Sequence, residues 1–237
     1  MKQLYYLASL LSVVFTFSSV LAAADTGEIL KGISHLKQST LRFAGEKVIY
    51  FDPVAIAGEP KDADLIFVTH LHGDHFSIAD LKKLMKQDTL LIAPADVVQQ
   101  ATNEGFKNMT IVEPGKVYQE KGYQFETVAS YNIDKNFHPK DNKWLGYILY
   151  FNGFSYYIAG DTDLIPEMKN IHVDVAFLPM GGKYTMNVAE AVEAANIIKP
   201  KIAVPIHFAD VVGTWEDAEK FVAMLHKDVK GIILKQK

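Results

Sequence analysis

The chain contains no cysteine. A disulfide framework, a thiolate nucleophile and a thiolate-ligated metal site are thereby excluded, so any metal must be held by imidazoles and carboxylates. Basic runs and stripes are missing as well: 24 Lys and Arg stand against 28 Asp and Glu, for a formal net charge of −4. An electrostatic binder of nucleic acid is therefore not expected. Linker-like Pro/Gly/Ser stretches and internal repeats are lacking, and long apolar runs are confined to the first residues. What remains is ordinary for a globular protein: 237 residues, 49% of them hydrophobic and 22% charged, enough to bury a substantial core in one domain.

Met1–Ala24 reads as a secretory signal peptide. Lys2 supplies a positive start, Leu4–Val20 is apolar and uncharged, and Ala22-Ala23-Ala24 offers the small residues that a signal peptidase requires before Asp25. An uncleaved membrane anchor is the alternative, since the apolar run is at the lower limit for spanning a bilayer. The expected mature unit, residues 25–237, would be periplasmic or secreted, with no stable membrane association after cleavage. Without disulfides, an exported chain depends on core packing and on any bound metal for stability.

Apolar runs then alternate with amphipathic stretches. Val48–Phe51, Leu65–Thr69 and Thr89–Ala93 predict strands, and Ser77–Lys86 and Ala95–Asn103 predict helices, the first capped by Ser77. Met109–Val112, Lys116–Gln119 and Tyr123–Ser130 read as consecutive strands, and Leu145–Phe151 with Ser155–Ala159 as a hairpin through Asn152-Gly153. Val173–Leu178, Lys201–Ile206 and Ile232–Leu234 predict further strands, with helices at Val188–Ile198 and Thr214–His226. The order is β-rich, then βα, then hairpins, then βα again, which suggests two packed sheets with helices outside.

The strongest chemical signal is T-H-L-H-G-D-H at Thr69–His75. His70 and His72 alternate just past a strand end and can share a side, while Asp74 and His75 fall where the chain turns into a helix. Imidazole with carboxylate suits Zn²⁺ and also Mn or Fe. At this chain's His and Asp frequencies the pattern arises by chance roughly once in 1,700 such sequences, which disfavours a merely solvated His-rich loop.

H-x-H-x-D-H after a strand resembles the signature of the metallo-β-lactamase-fold hydrolases. Phe51-Asp52-Pro53 resembles the strand-end Asp that supports that signature, Ala159-Gly160-Asp161-Thr162 the motif with a metal-bridging Asp, and Val204-Pro205-Ile206-His207 the motif with the last His. The resemblance runs from Gly32 to about Asp210 and implies a mixed α/β fold, an αββα sandwich of two mixed sheets flanked by helices. It places His70 and His72 at one metal, Asp74, His75 and His207 at a second, and Asp161 between them. Two zinc ions per chain are implied, with Mn or Fe as substitutes, sharing a water whose pKa they lower; Asp74 would orient it or shuttle its proton.

The family's usual third His for the first metal falls near Asn132 here, and Asn is a poor zinc ligand. His138, in Asn136-Phe137-His138-Pro139, follows six residues later and is expected to complete the site; contact with substrate is the alternative. A prokaryotic subgroup of metal-dependent hydrolases is similar in these stretches and in W-x-G-Y, A-G-D-T-D and G-G-x-Y-T-M, present here at Trp144, Ala159 and Gly181. Tyr184, in the last of these, is a candidate donor to a developing oxyanion; a plain strand-to-helix turn is the alternative. Trp144, Phe137 and Phe208 flank the ligands and either line the pocket or belong to the core. His35 reads as structural, His172 and His226 as surface residues, and Asp163 as support for the ligands.

The activity implied is hydrolysis of an ester, lactone, amide or phosphodiester in a small-molecule substrate. Relatives often carry Gly-His-Ser or Gly-His-Ala where this chain has Lys37-Gln38-Ser39, and those that hydrolyse β-lactams carry a Gly-His third motif that this chain lacks. A mononuclear-iron redox or sulfur enzyme would not need Asp74, His75 and His207 together, and a non-catalytic metal-binding protein is the remaining alternative. Oligomeric state is not legible in the sequence.

Overall fold

The computed structural model describes residues 26–236, so the expected signal peptide lies outside the described residues. After a helical turn, α1 (Thr26–Ile29), the chain builds β1 (Ile33–Lys37), β2 (Thr40–Ala44), β3 (Val48–Phe51), β4 (Ala63–Phe67), α2 (Ile78–Leu84), β5 (Met85–Ala93), α3 (Ala95–Asn103) and β6 (Met109–Ile111). The six strands form one sheet in chain order, antiparallel from β1 to β3 and parallel from β3 to β6. The second half contributes β7 (Val117–Glu120), β8 (Tyr123–Ala129), β9 (Leu145–Phe151), β10 (Phe154–Ile158), β11 (Val175–Pro179), α4 (Val188–Ile198), β12 (Ile202–Ile206), α5 (Trp215–Met224) and β13 (Lys230–Gly231). These seven strands repeat the plan: antiparallel from β7 to β10, then parallel through β13.

Period-two alternation decides how the layers stack. Leu65 and Phe67 of β4 enter a core shared with the second sheet, whereas Ile66 packs outward with Leu81, Leu84, Val97 and Val98 of α2 and α3. Leu145, Tyr147, Leu149 and Phe151 of β9 face the first sheet, and Ile148 faces away from it. Aromatic edges close the gap: Phe43 meets Phe151 at 5.5 Å and Tyr156 at 5.2 Å, and Phe67 meets Phe125 at 5.0 Å. The outer face of the second sheet is covered by Ala191, Ala194, Ala195 and Ile198 of α4 with Ala218 and Phe221 of α5. Both faces of the parallel strands are thus buried, and the layers are αββα as expected.

One expectation is made specific by strand pairing and two are corrected. β6 does not continue into β7: β6 closes the first sheet against β5 and β7 opens the second, so Pro114-Gly115 carries the chain between sheets. Met85 leaves the helix to begin a long β5 that pairs with Ala63. The last strand is Lys230–Gly231, earlier than Ile232–Leu234, because Lys230 and Gly231 align with Ile202 and Ala203. The Asn152-Gly153 hairpin forms as expected, with both residues at positive φ, 50° and 82°.

Candidate metal centre

Every chemically distinctive side chain lies just past the carboxyl end of a strand: Asp52 after β3, His70–His75 after β4, Asn132 and His138 after β8, Asp161 after β10, Tyr184 after β11 and His207 after β12. Open α/β sheets place their sites at such strand ends. The two sheets are joined there, where Leu145 N–H donates to the Thr69 carbonyl (3.1 Å) and Tyr147 Oη to that of Val68 (2.8 Å).

Two clusters result. His70, His72 and His138 form one, and Asp74, His75, Asp161 and His207 the other; within each cluster the ligand atoms lie within 4.8 Å of one another. Asp161 stands between them: Oδ2 is 3.4 Å from His138 Nε2 and 3.1 Å from His207 Nε2, and Oδ1 is 3.2 Å from His75 Nε2. Asp74 Oδ2 lies 3.4 Å from His207 Nε2 and 3.8 Å from His75 Nε2. All seven sequence-predicted ligands therefore converge, drawn from four loops.

Partners behind the ligands set their orientation. Asp52 accepts from His75 Nδ1 (2.8 Å), the Thr69 backbone N–H (2.7 Å) and Thr69 Oγ1 (2.8 Å), which turns His75 Nε2 toward Asp161. Asn132 Oδ1 accepts from both the His138 backbone N–H and His138 Nδ1, each at 3.0 Å, so the lone pair of Nε2 faces the cluster. The Asn132 amide donates to Asp163 Oδ1 and to the Tyr184 carbonyl. Asn132 is thus the holder of His138, and Asp163 is the holder of Asn132.

Three buried atoms in the clusters have no hydrogen-bond partner: His75 Nε2, His138 Nε2 and Asp161 Oδ1. Such atoms are costly unless another ligand satisfies them, and a set of imidazoles and carboxylates fits divalent zinc, manganese or iron.

The electrostatics agree. Burial pushes His70 well below the usual histidine range, with His75 adding to the effect, and burial with His138 lowers His72. Burial also opposes charge on His207, yet Asp161 and Asp74 outweigh it and raise the imidazole to about 9; Asp161 and Asp52 likewise raise His75 well above its usual value. Burial alone would raise Asp74, but His207 and His75 bring it down to about 2, and the same two imidazoles hold Asp161 well below the usual carboxylate range. The second cluster is a site that draws in positive charge.

Two glycines make these approaches possible. Gly160 sits at φ 66°, and a Cβ there would lie 2.6 Å from the Leu145 carbonyl oxygen. At Gly181 a Cβ would meet Val212 at 2.2 Å and the His207 carbonyl oxygen at 2.9 Å.

One residue escaped the sequence reading. Gln38 is buried at φ 48° in the β1–β2 turn, and its amide nitrogen lies 3.2 Å from Asp74 Oδ2 and 3.0 Å from His207 Nε2. Its carbonyl accepts from the His207 backbone N–H and from His35 Nε2. Gln38 is the middle residue of Lys37-Gln38-Ser39, and nothing in that tripeptide pointed to a side chain beside the centre. His35 is the buried structural residue expected, and His172 and His226 are exposed.

A cavity of about 440 Å³ opens onto the clusters, lined by His72, Asp74, His138 and Asp161 with Phe137, Tyr184 and Val211. Trp144 packs against His70 and His72, 4.9 Å from each, while Phe208 is core.

A family model described as a beta-lactamase superfamily domain matches residues 39–208. A metal-dependent hydrolase of Thermococcus onnurineus is 29% identical, over 86% of this chain and 96% of its own. One from Thermus thermophilus is 31% identical over 78% and 84%. Among solved structures, a protein named as a metal-dependent hydrolase from Parabacteroides distasonis superposes with TM-score 0.74 at 31% identity, over 86% of this chain and 93% of its own. A metallo hydrolase from Ignicoccus hospitalis shares the fold, with TM-score 0.70 at 22% identity over 86% and 94%. The chain belongs to the beta-lactamase superfamily and is a metallo-β-lactamase-fold, metal-dependent hydrolase.

Proposed function

We propose that this hydrolase works through a dinuclear centre, with zinc as the metal, and cleaves an ester, lactone, amide or phosphodiester bond in a small molecule. The carrying observation is Asp161, whose two oxygens face imidazoles of both clusters. His70, His72 and His138 would hold one cation, and Asp74, His75 and His207 the other, with Asp161 reaching both. Such a pair would supply an acidified water at neutral pH and polarise the substrate oxygen.

The rest of the chemistry falls to the chain. Asp74 is part-exposed and lines the cavity, and with its pKa near 2 it stays anionic at working pH. It therefore serves as an acceptor that orients water and receives a proton transiently, not as a resting acid. Tyr184 lines the same cavity and is the candidate donor to the oxygen that gains charge. Replacing it by Phe is expected to lower kcat more than it raises KM; unchanged turnover would remove it from the mechanism.

We also propose that the protein is exported and cleaved before Asp25, on the composition of residues 1–24. No helix among the described residues is long and apolar enough to cross a membrane. Amino-terminal sequencing of the protein from the exported fraction should begin at Asp25, and an intact Met1 would refute cleavage.

The deciding experiment is plasma-emission analysis of the purified, dialysed protein. Two zinc ions per chain in the wild type and one in His138→Ala are expected; one or fewer in the wild type would end the dinuclear reading.

A further inference from the structure

Resting on the hydrolytic reading above, we propose that the centre acts on uncharged acyl compounds, esters or lactones carrying an apolar substituent, in preference to phosphodiesters. The division of the cavity argues for this. Apart from the Tyr184 hydroxyl, its polar side chains are the metal-ligating His72, Asp74, His138 and Asp161, and the rest of its side-chain lining is Phe137, the Tyr184 ring and Val211. Phe137 and Tyr184 meet edge to face, with ring centroids 4.7 Å apart, and form a continuous aromatic wall.

Among the described residues, no lysine or arginine lines the cavity. The chain's single arginine, Arg42, is engaged by Asp62 and Tyr50. Lys37, at the end of β1, pairs with Asp210 and Lys135 with Asp163, while Lys183 stands over the Tyr184 ring at 5.0 Å. A phosphodiester keeps its negative charge through binding and is ordinarily met by cationic forks or ammonium groups. Here the metal pair and the Tyr184 hydroxyl would meet it, with no cationic side chain in the lining.

Two of the eight large apolar side chains exposed among the described residues, Phe137 and Val211, line the cavity, from the loops after β8 and β12. Val211 is held out by a turn in which the Ala209 N–H donates to the Gly213 carbonyl (3.3 Å), with Ala209 at φ 60° and Gly213 at φ 67°. Exposed apolar groups gathered around a polar floor mark a binding site for a partly apolar ligand.

The reaction is a hydrolysis. The water oxygen bonds to the acyl carbon, the acyl carbon–oxygen bond breaks, one proton passes to the departing alkoxide, and the other leaves with the acid into solvent.

The test uses the full chain supplied with zinc, p-nitrophenyl acetate, butyrate and octanoate, and bis(p-nitrophenyl) phosphate. kcat/KM is expected to rise at least about tenfold from acetate to octanoate, the gain if two of the six added methylenes leave water, and to exceed that for the phosphodiester. Val211→Asp, with metal content still at the wild-type level, should flatten the gradient. Independently, 2-decanone, a carbonyl that cannot be hydrolysed, should change the fluorescence of Trp144 and Trp215 on binding, and dibutyl phosphate should not. A flat series, or a preference for the phosphodiester, overturns the inference and leaves the hydrolytic reading standing. Saturable 2-decanone binding with no turnover of any substrate at full metal content supports the apolar site and refutes the hydrolytic reading.

Discussion

At the scale of single residues, Asn132 shows what a carboxamide does beside a cluster of ligands that it does not join. An asparagine cannot replace a histidine on zinc, but its carboxamide can hold one. One oxygen accepts two hydrogen bonds from His138, and the amide is anchored on Asp163 and the Tyr184 carbonyl. Loss of such a supporting partner commonly costs 10- to 100-fold in metal affinity. Asn132→Ala is therefore expected to weaken the first site by about that factor while leaving the second intact, read by competition against a chelator of known affinity. Native affinity at both sites would show that His138 needs no holder. His138 could be found in the sequence because it sits in a recognisable stretch. Gln38 could not, because a glutamine in a turn carries no chemical signature until the fold sets it against Asp74 and His207.

At the scale of elements, local signals placed most helices and strands, and long-range pairing decided the rest. α4 runs over its expected residues because Asn187 and Glu190 form a reciprocal capping box, a signal contained in four residues. Asn187→Ala should lower unfolding stability by about 1 kcal/mol, without loss of metal, because the cap lies beyond the ligands. A drop in metal content would instead mean that the helix start positions the Tyr184 loop. Ser77 caps α2 as expected, but Asp80 does not close a box with it. Its carboxylate accepts from the Ala55 and Ile56 N–H groups and so pins the segment after Asp52. The partition between sheets was illegible for the same reason: β6 and β7 are both short strands flanking a Pro-Gly turn, and only pairing with β5 or β8 assigns each to its sheet. The four-layer order was legible because buried parallel strands and amphipathic helices alternate in the chain itself.

At the scale of the whole molecule, charge at the centre couples to folding. His207, raised to about 9 from an ordinary 6.5, lends the metal-free chain stability that is complete below pH 6.5 and lost as pH climbs through 9, on the order of 3 kcal/mol. His75 acts in the same direction. His70 and His72, kept neutral by burial, act oppositely and cost stability as pH falls below 6.5. The metal-free protein should thus melt highest near neutral pH and lower on either side. Cation binding reverses the alkaline limb, because it needs the imidazoles deprotonated. The rise in melting temperature on adding zinc should grow between pH 6.5 and 9, and a constant increment would show that His207 surrenders no proton to the metal. The ligands come from loops in both sheets, the earliest at His70 and the last at His207. No fragment that stops short of β12 owns a complete centre, so the metal is recruited only by a finished molecule. If the chain crosses a membrane before folding, the ion it carries is chosen by the compartment that receives it, whatever metals surrounded the ribosome that made it.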